Sequence, residues 1–158
     1  MSGTETTASL RVVLADDEDI ARTLLRAYIG VLNRDGAGIE IAGACVNGRE
    51  AVDTVCREHP DVLFLDMSMP DMDGIGVVAE LVEKSPEHLP QIIFVTGFDA
   101  DMVGTIDLTA LHFLKKPVTR DRFAQAVVKA REAIAQRTPG ELLGKLRAWL
   151  ATTPGTTG

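Results

Sequence analysis

Two hydrophobic patterns alternate along the chain. Short, nearly continuous apolar runs predict strands that are buried on both faces of a sheet. Segments in which apolar residues recur every three or four positions predict amphipathic helices. One helix is predicted near 19–32, and four more follow the second to fifth strands. The fourth helix of the chain is predicted at 99–109. The predicted strands cover 11–15, 39–46, 62–66, 91–96 and 111–115.

Strands that alternate with helices in this way form βαβ units, which build a parallel sheet with helices on both faces. The expected fold class is therefore α/β and doubly wound, with right-handed crossovers. The second strand is expected near the sheet edge because Glu40 and Gly43 interrupt its apolar pattern. Gly104 and Thr105 interrupt the segment 99–109, which predicts a poor fourth helix.

The pattern divides the chain into one domain at 10–137 and short flanking segments. Positions 1–9 are predicted to form a flexible tail, and 152–158 a disordered one. Between domain and tail, 138–151 holds a further amphipathic helix. Its apolar face, at 141–150, comprises Leu142, Leu143, Leu146, Trp149 and Leu150. We expect this face to pack on the domain or on a second copy of the chain, rather than to remain an unstructured linker.

The composition of the chain argues against a nucleic-acid-binding, a membrane-spanning or a secreted protein. The net charge of -7 argues against binding of nucleic acid by this chain, because affinity for phosphate backbones depends on a basic face. The chain has no apolar run of membrane-spanning length, and its first nine residues lack the pattern of a signal peptide. Cys45 and Cys56 lie among apolar neighbours and are expected to be buried thiols, so we expect a cytoplasmic protein.

Polar side chains stand where four of the predicted strands end. The first strand runs into Asp16 and Asp17, the third into Asp66, the fourth into Thr96 and the fifth into Lys116. The carboxyl ends of parallel strands lie along one edge, and open α/β sheets bind their ligands there. We therefore expect these side chains to meet.

The residue types at this edge suit phosphoryl chemistry. Carboxylates crowded together repel one another unless a cation is present, and hard oxygen ligands suit Mg²⁺. A lysine and a hydroxyl supply the positive charge and the hydrogen-bond donor that a phosphoryl group needs. The predicted reaction is attack of the Asp66 carboxylate on phosphorus, which gives an aspartyl phosphate. Positioning and charge neutralisation would carry most of the catalysis.

Each of these residues, taken alone, has a plainer structural explanation. Asp16 and Asp17 could open the first helix, and Asp66 could cap the turn that follows it. Lys116 could be a surface lysine and Thr96 an ordinary strand residue. Four such coincidences at one sheet edge disfavour the purely structural explanation.

The chain resembles the receiver domain of a two-component response regulator over roughly 10–137. The motifs that carry the resemblance are Leu14-Ala15-Asp16-Asp17-Glu18, Leu65-Asp66-Met67-Ser68-Met69-Pro70-Asp71-Met72-Asp73-Gly74, Val95-Thr96-Gly97 and Phe113-Leu114-Lys115-Lys116-Pro117. The resemblance implies a flavodoxin-like fold with the strand order 2-1-3-4-5. Within the family, the residues around Thr96 and Lys116 look most like receivers attached to LytTR DNA-binding domains.

The resemblance also implies a function. Asp66 would accept a phosphoryl group from the phosphohistidine of a histidine kinase or phosphotransfer protein. Asp17, Asp66 and the backbone carbonyl of Ser68 would bind Mg²⁺, or Mn²⁺ in its place, with Asp16 acting through water. The chain would catalyse only its own phosphotransfer and a slow autodephosphorylation, and is not expected to be a conventional enzyme.

Thr96 and Lys116 would hold the phosphoryl oxygens, and Phe113 matches the aromatic residue whose rotamer switches with Thr96. The switch would change the face formed by the predicted fourth helix, fifth strand and fifth helix. That face would bind a partner, an output domain or a second copy of the chain.

Two positions bear on how fast the phosphorylated chain is expected to lose its phosphoryl group. Ser68 and Phe98 stand where the family adjusts dephosphorylation, and the bulk of Phe98 predicts a slowly hydrolysed phosphoaspartate. Thr109 stands where many relatives end the fourth helix with glycine, and the left-handed cap is costly without it. A loosely held segment at 99–109 is therefore predicted.

Two other functions share parts of this pattern. A pseudo-receiver would keep the fold as a protein-interaction module without phosphotransfer, but every residue that the chemistry requires is present. A phosphatase of the haloacid-dehalogenase class needs a second acid two residues after its nucleophile, where this chain has Ser68. The sequence leaves open whether the receiver stands alone or belongs to a longer regulator, and it names neither the kinase nor the regulated process.

Overall fold

A computed structural model of the chain describes residues 9–97 and 112–152. Within these residues five parallel strands form one sheet in the order β2-β1-β3-β4-β5. The strands are β1 (Leu10–Ala15), β2 (Ile39–Cys45), β3 (Val62–Asp66), β4 (Gln91–Thr96) and β5 (His112–Lys115). The described helices are α1 (Asp19–Arg34), α2 (Gly48–Glu58), α3 (Gly74–Lys84), α4 (Arg120–Gln136) and α5 (Glu141–Thr152).

The predicted fold class and strand order are confirmed. Helix α4 corresponds to the fifth helix of the sequence prediction, because the predicted fourth helix at 99–109 lies outside the described residues. Phe98, Gly104 and Thr109 lie outside them as well. Strand β2 is at the sheet edge, as Glu40 and Gly43 suggested.

Neighbouring residues of each strand point to opposite sides of the sheet. Helices cover both sides, and each side has its own apolar cluster. Leu63 and Phe94 belong to an apolar cluster with residues of α2, α3 and α5. Phe64 and Ile93 belong to a second cluster with residues of α1 and α4. These side chains are at most 1 % exposed, and burying a side chain of this size contributes roughly 1.5–3 kcal/mol.

Side chains cap three of the described helices. Asn47 accepts a hydrogen bond from the Glu50 amide at the start of α2, and Asp73 accepts one from the Gly76 amide at the start of α3. Thr119 does the same for α4. At the start of α1 the cap position is held by Glu18, which makes no capping side-chain hydrogen bond; its carboxylate pairs with a lysine instead.

Helix α5 packs on the domain itself, which decides between the two placements that the sequence left open. Leu142, Leu146 and Trp149 are buried in the cluster that also contains residues of α3. Both cysteines are free thiols; Cys45 is buried and Cys56 half-buried. Among the described residues, no helix is both long and apolar enough to cross a bilayer.

Candidate functional site

The carboxyl edge of the sheet gathers the polar residues that end the strands. Asp16 follows β1, Asp66 ends β3, Thr96 ends β4, and Lys116 follows β5. Asp16, Asp66 and Thr96 are only 3 %, 4 % and 2 % exposed, although all three are polar. Buried polar groups need compensating partners, so the contacts among these side chains decide what the edge can do.

The ammonium group of Lys116 lies at the centre of the edge. Its Nζ is 2.9 Å from Asp16 Oδ2, 2.8 Å from Glu18 Oε1 and 3.5 Å from Asp66 Oδ2. Burial alone lowers the pKa of Lys116, but the hydrogen bonds to Glu18 and Asp16 and the charge of Asp66 outweigh burial and raise it. The lysine therefore stays charged and offsets part of the negative charge at the edge.

Three carboxylates face one another beside this lysine. One oxygen of each of Asp16, Asp17 and Asp66 lies within 4.8 Å of the others, with Asp17 exposed to solvent. A set of hard carboxylate oxygens open to water on one side has the chemistry that Mg²⁺ prefers, since this ion binds through few carboxylates and keeps several waters. The donor set of this edge therefore fits Mg²⁺.

The carboxyl group of Asp66 is electrostatically unusual. Its burial is the main cause that raises its pKa to about 6, the hydrogen bond from the Ser68 amide opposes that shift, and the nearby charge of Asp16 adds to it. The Ser68 amide donates to Asp66 Oδ1 over 3.1 Å. A buried, electron-rich carboxylate beside a fixed cation is a group that gains from binding a metal ion or an electrophile.

The loop after β3 is shaped to hold Asp66 in place. Gly74 donates its amide to the Met67 carbonyl over 2.8 Å. A Cβ atom at position 74 would lie 2.8 Å from the ring of Phe94 and 3.1 Å from Met67 Cα, so only glycine fits without displacement. Asp71 accepts hydrogen bonds from the amides of Gly48 and Arg49, which ties the loop to the start of α2.

Thr96 and Phe113 occupy neighbouring strands at the same edge. In the register of β4 with β5, Thr96 pairs with Lys115 and Phe94 pairs with Phe113. The rings of Phe94 and Phe113 stack with their centroids 5.2 Å apart. The backbone amide of Lys116 donates to the Thr96 carbonyl over 2.8 Å, which joins the lysine to the end of β4.

The structure adds two residues that the sequence did not assign. Glu18 is the second carboxylate partner of Lys116, and this hydrogen bond lowers the pKa of Glu18. The guanidinium group of Arg22 donates to the backbone carbonyl of Asp16 and pairs with Asp19. The role of Glu18 could have been suspected from the sequence, because the acidic run after β1 places a third acid at the edge. Arg22 lies one helical turn later, and nothing in the sequence pattern indicated its role.

Comparisons with known proteins agree with this geometry. The family model of the response regulator receiver domain matches residues 12–128. The transcriptional regulatory protein BtsR of Escherichia coli K12 is 35% identical over 123 residues, which are 78% of this chain and 48% of that protein. The chain thus spans about half the length of the curated relatives that it matches.

Solved structures show the same fold. The REC domain of AraT, a response regulator from Geobacillus stearothermophilus, has a TM-score of 0.64 and 31% identity, and the match covers 80% of this chain and 96% of that one. The CheX–CheY–BeF₃–Mg²⁺ complex from Borrelia burgdorferi has a TM-score of 0.66 at 22% identity, and the match covers 77% and 89%. Fold, edge and family model agree, and the chain belongs to the response regulator receiver domain family.

Proposed function

We propose that this chain is a phosphorylation-dependent signalling switch. Asp66 accepts a phosphoryl group from the phosphohistidine of a histidine kinase or phosphotransfer protein, in a reaction that depends on Mg²⁺. The observation that carries the proposal is the convergence of Asp66 with Asp16, Asp17 and Lys116 at one edge of the sheet. The family supports phosphorylation-based signalling as the general role.

In the proposed transfer, a carboxylate oxygen of Asp66 forms a bond to phosphorus while the bond from phosphorus to the donor's imidazole nitrogen breaks. The electron pair of that bond stays with the imidazole, which then takes a proton. Lys116 and the hydroxyl of Thr96 hold phosphoryl oxygens. Lys116 must give up part of its contact with Glu18 and Asp16 to do so, and it is close enough to Asp66, at 3.5 Å, to make this exchange by a small movement.

Mg²⁺ would be held by Asp17, Asp66 and the carbonyl of Ser68, with Asp16 acting through water, and when bound it neutralises charge on the phosphoryl oxygens. Without a cation the burial of Asp16 and Asp66 costs free energy, which Lys116 alone offsets in part. Asp17 is the exposed member of the three, so it can exchange water for the ion without breaking a buried contact. The side chain of Ser68 is exposed beside Asp66, where it can tune hydrolysis of the acyl phosphate.

The output of the switch would be a change in the face beside β5, read by a partner, an output domain or a second copy of the chain. Phe113 is the described residue that would carry it, because it is half-buried on β5 and stacks on Phe94. BtsR, of which the match covers 48%, is a transcriptional regulator by name, so a DNA-binding output, including the LytTR type, remains a prediction for a longer protein.

Intact mass after incubation with acetyl phosphate and Mg²⁺ tests the proposal. We expect the mass of one phosphoryl group to be added to the wild type and none to Asp66→Asn. Asp53→Asn, which removes an exposed acid on α2, is the matched control and should be modified like the wild type. A chain that gains no mass with either acetyl phosphate or a phosphorylated histidine donor would be a pseudo-receiver, and the proposal would be wrong.

A further inference from the structure

Helix α5 lies on the domain as an amphipathic ligand lies in a groove. Its three buried side chains, Leu142, Leu146 and Trp149, are spaced at i, i+4 and i+7. This is the spacing with which amphipathic helices anchor in hydrophobic grooves. The groove is the apolar surface formed by α3 and by Phe94 of β4, and we call it the α3–β4 groove.

The last anchor of α5 touches the aromatic pair at the sheet edge. The ring centroid of Trp149 is 5.5 Å from that of Phe94, which in turn stacks on Phe113 at 5.2 Å. Phe94 is fully buried and also meets the start of α3, where its ring leaves room only for the hydrogen of Gly74. One ring therefore lies against α5, β5 and the first residue of α3.

Helix α5 depends on this docking for its structure. It has 12 residues, a length at which an isolated helix is marginal in water. Gly144 lies in its interior and lowers its helix propensity further. Two solvent-open clefts of about 240 and 340 Å³ flank the connection between α4 and α5. Undocking and unfolding of α5 are thus expected to be one event.

The connection to α4 suits a tether. It is short, and Gly140 adopts a left-handed conformation with φ of 82°. The start of α5 is held by contacts within the segment itself: the Thr138 amide donates to Glu141 Oε1 over 2.9 Å, and Lys145 pairs with Glu141. These two contacts lie within the segment, whereas the apolar anchors join α5 to the α3–β4 groove.

We propose that α5 is a tethered ligand of the α3–β4 groove, and that binding of a phosphoryl group at Asp66 weakens its docking through Phe94 and Phe113. This inference rests on the proposed function. Thr96 lies two residues after Phe94 on the same side of β4, so drawing Thr96 and the end of β5 toward a phosphoryl group disturbs the ring stack. Close-packed cores respond to such shifts by discrete repacking. Helix α5, whose last anchor touches this ring stack, is the element that is released.

Hydrogen–deuterium exchange of the α5 amides in the full chain tests the proposal, with beryllofluoride and Mg²⁺ as the noncovalent stand-in for the phosphoryl group. We expect the amides of 142–152 to exchange at least about fivefold faster when beryllofluoride is bound, the lower end of the usual coupling between two sites. Trp149 is the only tryptophan of the chain, so its emission should shift to longer wavelength in the same titration. Neither change should occur in Asp66→Asn.

Two surface substitutions calibrate the exchange measurement. Gly144→Ala places a methyl group where no atom lies within 4 Å, and Ala148→Gly removes one from an exposed position of the same helix. Neither residue lines the groove or the Asp66 edge. Because alanine and glycine differ in helix propensity, we expect the first to slow α5 exchange by about fivefold and the second to speed it by about fivefold.

The outcomes separate the two proposals. If calorimetry shows that beryllofluoride binds but α5 exchange and Trp149 emission stay unchanged, the inference is overturned while the phosphoacceptor function stands. If beryllofluoride does not bind and no phosphoryl group is accepted, both fail. If Gly144→Ala and Ala148→Gly do not shift α5 exchange in opposite directions, α5 does not open as a separate unit and the inference is overturned.

Discussion

Lys116 and Asp66 are the cation and the proposed phosphoacceptor of the carboxyl edge. Lys116 lies within 3.5 Å of two buried carboxylates and is the cation that accompanies them in the absence of a metal ion. Asp66 remains short of compensation, which is why its pKa is raised to about 6, chiefly by burial. Removing the charge of Lys116 and removing the charge of Asp66 should therefore have opposite effects on the stability of the metal-free protein.

Substituting Lys116 by methionine should slow phosphorylation of Asp66 by acetyl phosphate by about a hundredfold, because one charged group that holds the transferring phosphoryl oxygens is lost. The measurement is the rate of phosphoryl mass gain at saturating Mg²⁺. Lys115→Met, which removes the exposed neighbouring lysine, is the control and should leave the rate unchanged. A Lys116→Met chain that reacts at the wild-type rate would contradict the role given to this lysine.

Asp66→Asn should stabilise the metal-free protein at pH 8. The folded state raises the pKa of Asp66 from 3.8 to about 6, so it favours the protonated form. The stabilising contribution of protonated Asp66 is present below pH 3.8 and is lost as the pH rises through about 6. The free energy of unfolding gained by the asparagine should thus reach up to about 3 kcal/mol above pH 6.

Urea denaturation of Asp66→Asn and wild type between pH 4 and pH 8, without divalent ions, measures this difference. The gain should shrink toward the acid end of the range, where Asp66 is protonated in the folded state. A difference that does not depend on pH would show that Asp66 is not the strained carboxylate of this edge.

At the scale of the elements, the loop between β3 and α3 joins the parts of the site. It presents the Ser68 amide to Asp66, and Asp71 attaches it to the start of α2. Gly74 packs directly under the Phe94 ring. A side chain at this position must displace backbone as well as a ring, because the Met67 Cα and the Asp66 carbonyl are also close.

Gly74→Ala should therefore lower the free energy of unfolding by about 1–3 kcal/mol, the usual cost of overpacking a core. Gly30→Ala is the matched control, since a Cβ atom there meets nothing within 4 Å and the residue lies inside α1. That substitution should raise stability by up to about 1 kcal/mol. Thermal and urea unfolding of both variants check the prediction, and equal effects of the two would refute the close packing at Gly74.

The sequence predicted the strands and the described helices because their hydrophobic periodicity is strong. It could not predict which polar side chains pair, since that depends on distances between elements far apart in the chain. Glu18 occupies the N-cap position of α1, yet its carboxylate pairs with Lys116, 98 residues later in the chain. The apolar stripe of α5 was visible in the sequence, but the groove that receives it is assembled from α3 and β4 only when the sheet forms.

For the whole molecule, the carboxyl edge concentrates negative charge in a chain that already carries a net charge of -7. The candidate site was largely predictable because four strand ends of a parallel sheet must share this edge. The sequence could not give the degree of burial of Asp16 and Asp66, nor the resulting pKa of Asp66. Both depend on the folded chain, which brings Arg22 of α1 to the Asp16 carbonyl and the Ser68 amide to the Asp66 carboxylate.

Mg²⁺ should stabilise the folded chain, because only the folded state assembles the three carboxylates. At about ten times its dissociation constant, the ion should add about 1.4 kcal/mol to the free energy of unfolding. Unfolding curves with increasing Mg²⁺, and after its removal with a chelator, measure this effect. Asp17→Asn should weaken it, whereas Asp53→Asn should not. A wild-type chain whose stability does not respond to Mg²⁺ would contradict the metal site.

Locating the phosphoryl group within the chain tests the central claim most directly. Borohydride reduces an aspartyl phosphate to homoserine, so treatment after phosphorylation marks the acceptor permanently. Peptide mass spectrometry should then find the conversion at Asp66 alone, dependent on Mg²⁺. Conversion at another residue, or a phosphoryl group that borohydride does not release, would contradict the assignment of Asp66 as the phosphoacceptor.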